Sequence, residues 1–224
     1  MDDIKQSANQ QQVKSQQRVA DYGEVFTGER EVNAMLDLVK QETERIDSRF
    51  LEPACGNGNF LVEIIRRKLA VVKARYAKNQ LEWERYAVQA VSSIYGIDIQ
   101  NDNVEECRER LFKIFNDEYS QMFKGDCKDE CRRSVAFILR LNILWGDALS
   151  LRTPDDKAEP IVFAEWTFPF ADSRILRKDY TLDVLLKNQP MEGANLFSDL
   201  GDEAFIPLPV KEYPPVHFLN LGAQ

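Results

Sequence analysis

Apolar residues fall into two rhythms along the chain, and their alternation sketches a fold. The opening, Met1 to Gln17, is polar and Gln-rich and predicts a flexible arm over residues 1–20. Glu31, Val32, Met35, Leu36, Leu38 and Val39 then place apolar groups at helical spacing. Arg49 to Ala54 reads as a short buried strand that stops at the turn Cys55-Gly56-Asn57-Gly58-Asn59. Beyond the turn Phe60, Leu61, Ile64, Ile65, Leu69 and Val72 form one helical stripe, and a second helix covers Leu81 to Val91. Ile94 to Ile99 is a strand with an acid, Asp98, at its carboxyl end. Asp102 to Phe123 is strongly amphipathic, with Val104, Cys107, Leu111, Ile114 and Phe115 on one face. A helix over Lys128 to Leu141 leads into a third strand, Asn142 to Leu149, and Ile161 to Trp166 is a fourth. Lys178 to Lys187 reads as a short helix. Five prolines, Pro190, Pro207, Pro209, Pro214 and Pro215, predict an irregular tail over residues 190–224.

Strands alternating with helices predict an α/β domain over residues 21–189, built on a mainly parallel sheet with helices on both faces. Ligands of such sheets sit beyond the carboxyl ends of the strands. Three of those ends carry acids here: Glu52 before the glycine turn, Asp98, and Asp147 in Gly146-Asp147-Ala148-Leu149.

The glycine turn lets a ligand approach the backbone, and it opens a helix whose first amides are unpaired donors. Its spacing, Gly56-x-Gly58 followed by Leu61, lacks the third glycine of a dinucleotide fingerprint. An acid just before it would repel a pyrophosphate. It suits a ligand with a positive amine, such as the amino-acid end of S-adenosylmethionine. Asp98 can accept two hydrogen bonds from vicinal ribose hydroxyls, and Asp147 one from an adenine amino group. Ile99 or Leu149 could pack on the ring. The competing reading makes all three acids simple caps of helices or turns.

Glu52-Pro53-Ala54-Cys55-Gly56-Asn57-Gly58-Asn59-Phe60 resembles the first cofactor motif of DNA amino-methyltransferases, especially the adenine-N6 enzymes of restriction–modification systems. Val25-Phe26-Thr27 resembles the Phe-Thr-Pro element upstream of it, with Gly28 where the family has proline. The likeness covers about residues 22–149. It implies a Rossmann-like class I methyltransferase fold, shortened at its C-terminal side and extended by an N-terminal helix. It places Phe26, Thr27, Glu52, Ala54, Gly56 and Gly58 around the methionine end of S-adenosylmethionine. Asp98 falls at the ribose and Asp147 at the adenine, with Ile99 and Ala148 beside them as further cofactor-binding residues. The family's catalytic (Asn/Asp/Ser)-Pro-Pro-(Tyr/Phe) motif has no intact counterpart. Thr167-Phe168-Pro169-Phe170 can be laid on it, keeping Pro169 and the aromatic Phe170; alternatively Glu165 and Trp166 supply an acceptor and a stacking ring. Both alignments stay open, as does a purely structural role for the aromatics.

Charge narrows the partners. Lys and Arg number 29 against 37 Asp and Glu, giving a net charge of −8. A domain that binds DNA unaided is ordinarily basic, so DNA contact is expected through a specificity or target-recognition subunit, in a homo- or hetero-oligomer. Arg66, Arg67, Lys68, Lys73 and Arg75 read as a solvated helix face, with phosphate contact the alternative. No apolar run is long enough to span a membrane, which points to a cytoplasmic protein. The cysteines, Cys55, Cys107, Cys127 and Cys131, form neither a disulfide framework nor a set of zinc ligands. Only 58 residues follow Trp166, too few for the three strands and two helices of a complete methyltransferase sheet. Two functions compete: a DNA adenine-N6 methyltransferase, or an inactive methyltransferase-like module that binds S-adenosylmethionine or a partner protein. A small-molecule or RNA methyltransferase fits the Phe-Thr and Glu-Pro-Ala-Cys-Gly elements less well.

Overall fold

The computed structural model describes residues 13–170, 172–187 and 207–223. The centre is a parallel sheet of three short strands, β1 (Phe50–Glu52), β2 (Ile94–Asp98) and β3 (Ile143–Trp145), in the order β1-β2-β3. Phe50 lies opposite Ile94, and Glu52 opposite Gly96. Gly96 in turn faces Ile143, and Asp98 faces Trp145. β2 is buried along its whole length, as the middle strand of a sheet covered on both faces must be.

Side chains alternate between faces. Phe50, Ile94, Gly96 and Asp98 share one face, where α4 (Asn59–Tyr76) and α6 (Asn101–Phe123) pack. Gly96 is needed there: a Cβ would lie 2.9 Å from Leu61 Cδ1 and 3.0 Å from Cys55 Sγ. α5 (Gln80–Ser92) packs beside α4, capped by Asn79, whose side chain accepts the Glu82 amide at 3.2 Å. Trp83 of α5 is fully buried and stacks on Tyr119 of α6, ring centroids 5.3 Å apart. α7 (Asp129–Asn142) feeds directly into β3.

The other face departs from the predicted pattern. β4 (Val162–Thr167) is not a fourth parallel strand. It pairs antiparallel with β5 (Arg174–Thr181), Val162 opposite Thr181 and Thr167 opposite Leu176. The reason is linkage. Six residues join the two strands, whereas a parallel return needs a crossover of about a dozen or more. The hairpin lies on the face carrying Tyr95 and Ile97 in place of a crossover helix. The Tyr95 hydroxyl donates to the Ala164 carbonyl at 3.0 Å, and the Tyr95 and Phe163 rings meet edge to face at 5.4 Å.

One further expectation is corrected, and the described parts of the arm and tail carry local structure. Residues 178–181 belong to β5, and only α8 (Leu182–Lys187) is helical. In the described part of the arm, α1 (Gln16–Tyr22) starts at Ser15, whose hydroxyl accepts the Arg18 amide at 3.1 Å, and ends at Gly23 with φ 65°. The described part of the tail, residues 207–223, is ordered as β6 (Lys211–Glu212), β7 (Val216–His217) and a 3-10 turn, Phe218–Ala223; Phe218 and Leu221 are buried, and the turn packs on α7. The rest of the expected arm and tail lies outside the described residues. α2 (Glu29–Asp37) and α3 (Lys40–Thr43) fill the predicted first helical region. Among the described residues no helix is long and apolar enough to cross a membrane.

Candidate functional site

A cavity of about 560 Å³ opens at the carboxyl ends of β1, β2 and β3, within the range of small-molecule sites. The chain is steered around it by β1. After Glu52 the Cys55 amide donates to the Ile97 carbonyl at 2.8 Å, and Gly56 (φ 51°) and Gly58 (φ 87°) bend the backbone into α4. Neither glycine tolerates a side chain. A Cβ on Gly56 would lie 2.9 Å from the Phe26 ring, and one on Gly58 2.4 Å from Cys107 Sγ. Phe26 thus packs directly on the turn, and the Asn59 side-chain amide donates to the Thr27 carbonyl at 2.8 Å.

Asp98 ties the strand ends together. Its carboxylate accepts the Gly56 amide at 2.8 Å, the Gln100 amide at 2.8 Å and the Asn103 side-chain amide at 3.2 Å. Its carbonyl accepts the Gly146 amide at 3.0 Å. An ionised carboxylate offers about four acceptor directions, so roughly one is left for a ligand. Asp98 is therefore both a local cap and a wall of the cavity. Asp147 behaves alike on a more open loop: the Leu149 amide donates to its carboxylate at 2.9 Å, and that bond holds its pKa below the usual carboxylate range. Glu52 is the contrast. Burial pushes its pKa upward, with no donor among the described residues to offset it.

Phe26, Thr27, Glu52, Ala54, Gly56, Asp98, Ile99, Asp147 and Ala148 all line this one cavity. Gly58 sits behind the lining, against Cys107. Ile99 and Leu149, 42% and 96% exposed, add bare apolar surface to the cavity wall. Sequence reasoning missed Glu24, Asn57 and Asn103, which also border it. Glu24 could have been suspected from its place two residues before Phe26, and Asn103 from its place in the first turn of the helix after Asp98. Asn57 lies inside the glycine turn itself. Its side-chain amide donates to Glu106 at 2.9 Å.

The proposed acceptor residues are not part of this site. Trp166 is buried, and its Nε1 donates to Asn142 Oδ1 at 2.8 Å. With Thr167 it borders a separate groove of about 640 Å³ beside Ser48, Arg49, Ser92 and Ser93. Those residues precede β1 and β2, so the groove is at the amino ends of the strands, roughly 15 Å away by strand rise alone. Glu165 pairs with Arg49 at 2.7 Å. Pro169 and Phe170 are exposed in the hairpin loop, where Arg174 sits over the Phe170 ring at 4.0 Å. The β4–β5 hairpin carries all five away from the cavity.

One electrostatic feature stands out. The cavity is bordered by Glu24, Glu52, Asp98 and Asp147, and by no Lys, Arg or His among the described residues. Phosphate ligands are disfavoured in such a lining and cationic ones favoured. Among the described residues no group of three or more His, Cys, Asp or Glu is placed to hold a metal ion. Compared with protein-family models, with curated proteins and with solved structures, the chain finds no match.

Proposed function

We propose that the chain binds S-adenosylmethionine at the carboxyl ends of its parallel strands and belongs to an N-methyl-transfer system acting on adenine in DNA. The observation that carries the reading is the cavity lined by four carboxylates and no cation. A sulfonium nucleoside with a free ammonium group matches that charge, and a dinucleotide or nucleoside triphosphate does not. The glycine turn packed by Phe26 supports the placing of the amino-acid end next to Glu52. The remaining acceptor capacity of Asp98 suits a ribose hydroxyl. Ile99 and Leu149 offer apolar surface for a purine, with Asp147 at its amino edge. The cofactor supplies an electrophilic methyl group; this chain's residues hold and orient it.

A second reading is favoured by a specific observation. Glu165 to Phe170 lie at the far end of the sheet or on an exposed loop, so no acceptor-amine ligand is assigned within the cavity. On this reading the chain is a cofactor-binding module, and groups from a specificity or recognition subunit complete any catalytic site.

Titration calorimetry separates these readings from their failure. S-Adenosylmethionine is expected to bind, and ATP and NAD are not. Asp147→Ala tests the adenine contact at the cost of one loop cap, the Leu149 amide bond, and Asp98→Ala tests the ribose contact. Each should weaken binding about tenfold, the loss of one charge-assisted hydrogen bond. Binding of ATP as tight as that of S-adenosylmethionine, or unchanged affinity in both variants, overturns the assignment. Methyl transfer to adenine duplexes by the isolated chain would remove the second reading.

A further inference from the structure

The segment that borders the cavity mouth is attached in an unusual way. Gly23 to Thr27 line the cavity, and α1 precedes them. None of the described side chains of α1 is fully buried, and its one described apolar side chain besides Ala20, Val19, is half-buried. Its attachments are ionic. The Arg18 guanidinium spans two carboxylates on different elements. On the segment itself it holds Glu24, through Nε and, at 2.9 Å, through Nη2. On the first turn of α6 it holds Asp102, at 2.7 and 3.1 Å. Lys14 adds Asp102 at 3.2 Å and Glu106 at 2.7 Å. The Arg18 contact holds the Asp102 carboxyl down at about 2.

The same network reaches into the cavity. Glu24 accepts one hydrogen of the Asn103 amide at 2.7 Å, and Asp98 accepts from the same nitrogen at 3.2 Å. Arg18, Glu24, Asn103 and Asp98 therefore form one chain from the segment's outer surface to the cavity wall. Glu24 is nearly enclosed, its side chain 9% exposed, while Asp102 is 54% exposed. Water and salt reach the Asp102 end first.

We infer that Lys14 to Thr27 form a charge-latched strap over the cavity, with Arg18 as the positioning residue that holds it closed and fixes Asp98 through Glu24 and Asn103. The strap then controls how fast a ligand exchanges. Opening releases side-chain ion pairs and the Phe26 contact, and exposes no fully buried side chain among those described on α1. This rests on the cavity being the S-adenosylmethionine site, but the latch itself can be tested without any ligand.

The experiment uses the full chain and the variants Arg18→Met, Arg18→Lys and Asp102→Asn. In the ligand-free protein, hydrogen exchange of amides 18–27 is expected to speed up at least fivefold in Arg18→Met and Asp102→Asn. Amides of β2 should keep their wild-type rates, and Arg18→Lys should restore part of the protection. Stopped-flow release of S-adenosylmethionine should be about tenfold faster in Arg18→Met. Raising salt from 0.05 to 0.5 M should speed release from wild type and leave Arg18→Met nearly unchanged, because exposed pairs are screened over a few ångströms at high salt. Unchanged exchange over 18–27 in both charge-removing variants overturns the latch, as does a release rate indifferent to Arg18 and to salt. Failure of wild type to bind S-adenosylmethionine sinks the cofactor reading instead, and the exchange data still decide the strap. Faster exchange throughout β2 as well as the strap would make Arg18 a general stabiliser and also overturn the proposal.

Discussion

Lys68 shows how far a residue's role can sit from its character. It lies in the run Arg66, Arg67, Lys68, Lys73, Arg75 that reads as a solvated face, yet it is fully buried. Its ammonium donates to the carbonyls of Ile46, at 3.2 Å, and Ser48, and to the Ser93 hydroxyl. It thereby pins the approach to β1 against the end of α5. The sequence does not reveal this, because a lysine on the polar flank of a helix reads the same whether water or a ring of carbonyls receives it. Desolvation lowers its pKa to about 7. Between that value and its ordinary 10.5, the unfolded chain keeps a proton that the folded chain has shed. Stability therefore rises with pH across this window, and the burial penalty is greatest below it. The test compares unfolding free energies of wild type and Lys68→Met by urea titration. Between pH 7 and pH 9, wild type should gain roughly 2 kcal/mol relative to the variant. A flat difference would mean that the three acceptors keep the amine protonated throughout. At pH 7 the variant should also be less stable by about 1–3 kcal/mol, since it leaves the buried Ser48 carbonyl without its donor, while the Ile46 carbonyl keeps the Ser93 hydroxyl at 3.2 Å.

Among elements, what could be read early was what is encoded locally. The helical stripes at 60–72, 81–91 and 102–123 and the acid-tipped strand at 94–98 appear close to their predicted bounds. Each has a strong period and an end marked by glycine or a polar cap. The β4–β5 hairpin could not be read this way. Arg174 to Thr181 mixes charged residues with Ile175, Leu176 and Tyr180, and its pairing partner is fixed by a connection, not by its own periodicity. The pairing also bears on the acceptor candidates, because a fourth parallel strand would have carried Glu165 to Phe170 toward the cavity. The corrected placement makes Trp166 a structural residue. Its indole packs near Phe137 and donates to Asn142, whose side-chain amide in turn donates to the Ser92 and Ile94 carbonyls, at 3.3 and 3.0 Å. Trp166→Phe leaves the Asn142 oxygen unpaired in a buried site, a loss of about 2 kcal/mol. Thermal unfolding should begin roughly 4–8 °C lower in a chain of this length. S-Adenosylmethionine affinity should stay within twofold of wild type. A large loss of affinity with an unchanged melting temperature would return Trp166 to the binding site.

At the scale of the molecule, charge decides which contacts the chain can make alone. Its net charge is −8, and four of the five cations in the run Arg66, Arg67, Lys68, Lys73 and Arg75 are paired or buried. Arg67 pairs with Glu63 and Asp37, Arg66 with Glu63, and Lys73 with Glu118, while Lys68 is buried. Among the described residues that line the cavity only carboxylates are charged, and one of them, Glu24, is paired with Arg18, which is not in the lining. A methyl donor bound there would sit in negative potential, which attracts a cation and repels a phosphate backbone. The acidic composition and the carboxylate lining were both visible in the sequence, the second through Glu52, Asp98 and Asp147 at three strand ends; only Glu24 was not. If DNA is the methyl acceptor, the attraction must come from a basic partner, since phosphate neutralisation supplies nearly all non-specific affinity. Fluorescence anisotropy with a labelled duplex at 0.15 M salt should accordingly give a dissociation constant weaker than about 10⁻⁴ M for the isolated chain, the weak limit of ordinary non-specific binding. Saturating S-adenosylmethionine should not rescue it, because one small ligand cannot reverse the field of the whole surface. Micromolar binding with a steep salt dependence would show instead that a basic surface exists, and that the chain meets its nucleic acid directly.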